Sequence, residues 1–153
     1  MKTKYFIFAY FIFLFSCSKD KEKSTKKYLS ASDSISYYIR KAESLNFKKT
    51  EKVKILDKAT TIIKESENSL KNRELNFEII AMYFETGEWN HYKNAAEILL
   101  KNSISANDII SKANAYRSFG NYYYQMNQPD SSFLLYTKSE NIYFQINTLL
   151  LVK

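Results

Sequence analysis

The sequence predicts an all-α protein built from about three antiparallel helix pairs, and three observations carry that prediction. Across 153 residues there are 2 glycines and 1 proline, almost nothing for the tight turns a multi-stranded sheet needs, whereas helices joined by short polar loops need few of either. From Ser30 onward the apolar residues recur at spacings of three and four, the period of a helix with one buried face. The interruptions of that pattern hold Asn, Asp, Ser, Gly and the single Pro, residues that stop helices. With 45% hydrophobic and 16% aromatic content the chain has enough apolar material for one domain with a packed core.

Six segments follow in order: 32–46, 49–66, 69–86, 88–102, 106–126 and 130–146. Asp33 or Ser32 is placed to cap the first. Charge alternates in KAES (41–44), KTEKVK (49–54) and KESE (64–67), as suits solvated helix faces. Gly87-Glu88-Trp89 separates the third segment from the fourth. Ser105 or Asn107 suits the cap of the fifth, and Pro129-Asp130-Ser131 suits the first turn of the sixth. Short connections make neighbours antiparallel. After Asn147 a further amphipathic helix is expected to begin, with Leu149, Leu150, Leu151 and Val152 lacking a partner, as in a fragment of a longer product.

The first 29 residues have a different character. Lys2 and Lys4 precede an apolar run from Tyr5 to Phe15, then Ser16, then Cys17 and the charged stretch SKDKEKSTKK. That layout is an export signal over residues 1–16, because the run is shorter than the roughly 20 apolar residues a membrane span needs. Leu14-Phe15-Ser16-Cys17 resembles the bacterial lipobox, and the resemblance implies cleavage before Cys17, lipidation of its thiol, and a charged tether over 17–29 leading to the helical domain, 30–153. Several acyl chains at one residue hold a protein on a bilayer, each buried CH₂ adding about 0.8 kcal/mol. The implied place is a bacterial cell envelope, lipid-anchored, on the periplasmic face of the outer membrane or at the surface; Ser18-Lys19-Asp20-Lys21-Glu22 looks similar to the surface-export tag of Bacteroidetes lipoproteins. Cys17 is the 1 cysteine of the chain, so no internal disulfide forms and stability must come from packing.

ILDKATTI (55–62), AEILLKNS (96–103) and LYTKSENI (135–142) recur at offsets near 40, each within the second helix of a pair. The last pair resembles the tetratricopeptide repeat: Tyr116 stands in the tryptophan place, Phe119-Gly120 in the Leu-Gly place, Tyr123 at the next aromatic, Ser132 and Ser139 at the two small positions, and Tyr136 between them. The resemblance implies an α-solenoid in which Gly120 and Ser132 let helices approach while the tyrosines fill the space around them. It is weaker in the preceding pair, where Ile80 and Tyr92 stand where glycine and a small residue belong, and in the first pair only Leu56 and Ala59 fit. Trp89 and the tyrosines read as packing residues.

A tetratricopeptide array presents a concave surface lined by the first helix of each pair to a peptide or protein partner. In the last repeat the family geometry points Asn114, Arg117, Asn121, Tyr124 and Gln125 into that groove. Arg117 and Asn121 stand one turn apart, half of a carboxylate clamp. Helical repeats behind such a lipobox also look similar to the sensor part of flavobacterial histidine kinases and helix-turn-helix regulators, so the sensory input of a truncated receptor is the alternative to an interaction module.

No enzyme is expected. Gly87 and Gly120 cannot form a phosphate-cradling loop. His91, the 1 histidine, has no second ligand at metal spacing and reads as solvent-facing; Glu74, Glu78, Glu85 and Glu88 read as exposed charge rather than paired catalytic acids. No metal and no cofactor are expected. The formal charge of +7 becomes +5 once Lys2 and Lys4 leave with the signal, and it is spread rather than striped, so no nucleic-acid partner is expected.

Overall fold

A computed structural model describes residues 30–44 and 47–151. Among these residues the regular structure is entirely helical: α1 (Ala31–Glu43), α2 (Lys49–Glu65), α3 (Leu70–Thr86), α4 (Trp89–Ser105), α5 (Ile109–Gln125) and α6 (Pro129–Leu151). No helix among them is long and apolar enough to cross a membrane. The export signal, Cys17 and the tether lie outside the described residues.

Helix starts repeat. Ser30, Ser69 and Asp108 cap α1, α3 and α5 at intervals of 39 residues, each side chain accepting from the backbone N–H three residues on, at 3.1, 3.2 and 3.0 Å. Such a bond satisfies one of the donors a helix start leaves orphaned. At α1 the expectation is corrected: Ser30 is the cap, and Asp33 is its partner, returning a bond to the Ser30 N–H at 3.2 Å. At α5 it is corrected as well, because Ser105 is still inside α4 and Asn107 is used by the turn, which leaves Asp108 as the first side chain able to reach the new helix.

Helix ends repeat more strictly. Gly87, Asn107 and Asn127 fall 20 residues apart and share a left-handed backbone, with φ of 67°, 51° and 54°. After each, an N–H reaches back to the carbonyl five residues before it: Glu88 to Tyr83 at 3.1 Å, Asp108 to Ser103 at 2.9 Å and Gln128 to Tyr123 at 2.9 Å. This is the Schellman closure, and asparagine is the residue other than glycine that tolerates its left-handed position. Two of three such turns therefore need no glycine. Pro129 occupies the first position of α6, where a missing N–H costs nothing.

α6 departs from the expected end at 146. It runs unbroken to Leu151 over 23 residues, so no new helix begins after Asn147. Asparagine within a helix costs well under 1 kcal/mol, and neither Gly nor Pro is present to stop it.

Each helix packs on the next in sequence, and the first helices of successive pairs also touch, α1 with α3 and α3 with α5. The core is continuous from Ile35 and Leu56 through Ile79, Tyr83, Tyr92 and Leu99 to Phe119. Its most regular part lies between α5 and α6. There the Ser132 hydroxyl donates to the Gly120 carbonyl at 2.9 Å and the Ser139 hydroxyl to the Ala113 carbonyl at 2.8 Å. Beside them Tyr136 and Tyr143 donate to Asn121 and Asn114, both at 2.6 Å. Donors and acceptors alike are seven residues apart, so the two helices run antiparallel in one heptad register. At Gly120 the approach leaves no room for a side chain: a Cβ there would lie 2.7 Å from both Cδ1 and Cε1 of Tyr136. Forty residues earlier, Ile80 and Ala96 stand at these two positions, both buried. The large and small partners have changed sides, which keeps total volume near constant and explains how that pair does without the glycine.

Candidate functional site

A concave surface with both apolar and charged lining runs between α3 and α5; a larger hollow of about 560 Å³, between Phe47, Lys49 and Lys52 on one side and Met82 and Glu85 on the other, lies outside the first-helix groove. A hollow of about 440 Å³ opens near the starts of α3 and α5, walled by Leu70, Glu74, Phe77 and Glu78 on one side and Ile110 and Asn114 on the other. Another, of about 280 Å³, lies further along between Phe77, Ala81, Phe84 and Glu85 and the facing Arg117 and Asn121. Phe77 belongs to both. Leu70, Ile110 and Phe84 leave 58%, 54% and 41% of their surface to solvent, a large exposure for apolar residues gathered along one channel.

The channel has a rigid end. Arg73 is buried, and its Nε donates to the Asp108 carboxylate at 2.8 Å while Nη1 donates to the Asn68 carbonyl and side-chain oxygens at 3.0 and 2.9 Å. Asn68 in turn donates to the Asn102 carbonyl and Ser105 hydroxyl, both at 2.8 Å. One cluster thus ties the start of α3 to the end of α4 and the cap of α5. Burial raises the Asp108 pKa, but the Ser111 N–H, the Ser111 hydroxyl and the Arg73 guanidinium outweigh it and hold the carboxyl below the usual range. The carboxylate is charged and fully used in place.

The five groove residues expected from the sequence are divided by the structure. Arg117 and Asn121 do share the smaller hollow. Asn121 is already engaged: its amide donates to the Tyr92 hydroxyl at 3.2 Å and its oxygen accepts from Tyr136. Asn114 lines the larger hollow, its oxygen held by Tyr143 and approached by Arg117 Nη2 at 3.4 Å. Arg117 lies over the Phe77 ring, 5.4 Å from its centre. Tyr124, 65% exposed, and Gln125 lie elsewhere, in a hollow of about 440 Å³ shared with Asn127 and Pro129 at the α5–α6 turn. Sequence reasoning missed Phe77, Glu78, Phe84 and Glu85. A signal for them exists, since Phe-Glu occurs twice on α3, seven residues apart.

His91 is corrected from solvent-facing to half-buried. Its ring stacks on Tyr83 at 5.4 Å, with Nε2 3.5 Å from Asp57 and Nδ1 3.8 Å from Glu88. The latter is too long for a hydrogen bond, and Nδ1 is buried without one. Tyr83 donates to Asp57 at 2.7 Å and meets the Thr60 hydroxyl at 3.3 Å; burial pushes its phenol well above the usual range, so it stays a donor. Glu88 also differs from an exposed acid, pairing with Lys49 at 3.1 Å. These contacts join α2 to the α3–α4 turn. Trp89 packs edge-on against Phe84 and Tyr92 at 5.4 and 5.7 Å, a packing role as expected. Among the described residues no three His, Cys, Asp or Glu side chains could hold a metal ion.

No protein-family profile matches this sequence, and neither a curated protein nor a solved structure does. The reading of function rests on the chain's own residues.

Proposed function

We propose that this chain is a tetratricopeptide-like array of three antiparallel helix pairs that binds an extended segment of a protein partner between α3 and α5, while a lipid on Cys17 holds it at a bacterial cell envelope. One observation carries the binding reading: the first helices of two successive pairs lie side by side and enclose two hollows joined at Phe77, with apolar side chains left to solvent along the channel. The repeated architecture is supported by caps every 39 residues, left-handed turns every 20, and Ser132, Ser139 and Gly120 at the small positions of a close helix pair. A segment lying in such a channel buries its side chains in the hollows and displaces water from the exposed Phe84 and the half-buried Phe77.

Panning the full chain against a displayed random-peptide library tests this. Enriched peptides should bind the wild-type chain and lose affinity for Phe77→Ala, whose fold is checked by circular dichroism. A library that yields no binder, or binders indifferent to Phe77→Ala, ends the proposal.

A further inference from the structure

Phe77-Glu78 and Phe84-Glu85 are the same dipeptide seven residues apart on α3. Seven residues are nearly two helical turns, so both dipeptides fall on one face, about 10.5 Å apart along the axis. That face is a wall of the channel, with Phe77 and Glu78 at the larger hollow and Phe84 and Glu85 at the smaller. Glu78 and Glu85 are exposed, and neither forms a salt bridge with any described residue. Of the other charges, Arg73 is spent on Asp108, and Glu74 has Lys71 at 3.7 Å in an exposed, weak pair. Arg117 lies over Phe77. Glu85 also lines a hollow of about 560 Å³ with Lys49 and Lys52, without a salt bridge to either, so this wall presents aromatic rings beside acids that no described cation pairs with directly.

Arg117 already displays the contact such a wall favours, a cation held over a phenyl face. Resting on the groove reading above, we propose that the occupant is an extended, basic segment of the partner with Lys or Arg at every third residue. Each cationic side chain lays its stem on Phe77 or Phe84 and its head against Glu78 or Glu85. In a polyproline-type strand residues three apart share a face and are separated by about 9 Å, close to the repeat on α3. The assignment is opposite in sign to a carboxylate clamp. Asn121, the clamp's second member, is held by Tyr92 and Tyr136, and the exposed Arg117 is engaged by the Phe77 ring and by Asn114 at 3.4 Å.

The test is fluorescence anisotropy on the full chain with three labelled proline-rich peptides carrying lysine, glutamate or serine at every third position. The lysine peptide should bind, and more weakly as salt rises from about 50 to about 200 mM. Glu78→Gln with Glu85→Gln should weaken it about threefold to tenfold, while Glu65→Gln with Glu140→Gln, exposed acids outside the channel, should not. Equal or tighter binding of the serine or glutamate peptide, or full affinity in the Glu78/Glu85 double variant, overturns the charge assignment. If such binding is nevertheless lost in Phe77→Ala, the groove reading stands alone; if no peptide binds, both fall.

Discussion

Gly120→Ala isolates a tight approach between α5 and the Tyr136 ring of α6. In a helix interior, alanine is favoured over glycine by about 1 kcal/mol, so on an open face the substitution would stabilise. Here the new methyl would lie 2.7 Å from two carbons of the Tyr136 ring and 3.1 Å from a third, about 1 Å inside ordinary contact. The ring cannot simply turn away, because its hydroxyl is held by Asn121 at 2.6 Å and the backbones are held by the Ser132 bond to the Gly120 carbonyl at 2.9 Å. Relief therefore means separating α5 from α6. Overpacking costs about 1–3 kcal/mol, and each strained hydrogen bond about 1 kcal/mol. Set against the helix-propensity gain, the net is a destabilisation of about 1–2 kcal/mol, several degrees in melting temperature for a domain of this size. The decisive measurement is the same substitution in a Tyr136→Ala background, followed by thermal and urea unfolding. With the ring gone the sign should reverse, and alanine should stabilise by about 1 kcal/mol. Stabilisation in the wild-type background, or the same shift in both backgrounds, would refute the idea that Gly120 is there to admit Tyr136.

Asp108→Asn keeps a capping side chain but leaves the buried Arg73 without its charge partner, so it should cost about 3 kcal/mol at neutral pH in urea unfolding. Because the folded carboxyl titrates below its unfolded value, its contribution is complete above the unfolded pKa of about 3.9 and is lost as pH falls through the folded one. The stability gap between wild type and variant should therefore stay level from pH 7 to about pH 4 and narrow below it; a gap that is constant or wider in acid would count against the pairing. For the anchor, Cys17→Ser should yield an uncleaved or soluble product, read by mass and by membrane fractionation. Unchanged mass and membrane recovery would end the lipidation proposal.

Helix number and order were legible because local signals agree with one another: apolar spacing, a cap at the start and a left-handed residue at the end. The boundaries at α1 and α5 were not, since several polar residues near each start can cap in principle, and the winner depends on where the preceding turn releases the chain. Asn107 shows this, its backbone conformation in the turn passing the cap to Asp108. The end of α6 slipped for a related reason, because Asn147 is a weak breaker and helix continuation costs little.

The candidate site divides along the same line. Arg117 and Asn121 were placed by helical spacing and do meet at one hollow, yet spacing says nothing about which partners reach a side chain from other helices. Tyr92 comes from α4 and Tyr136 from α6, and together they occupy the amide that would have faced a ligand. His91 is similar, being drawn onto Tyr83 and toward Asp57 on α2.

By itself the order of residues determined an all-helical chain with glycine and serine where two helices must touch, because those signals act within a turn or two of backbone. Which polar groups remain available for a partner was decided only when residues 15 or more positions apart were brought within hydrogen-bonding reach, as Asn121 is with Tyr136 and Tyr92. Free hydrogen-bonding capacity is what remains after tertiary contacts are made, and a property of that kind cannot be read from one helix at a time.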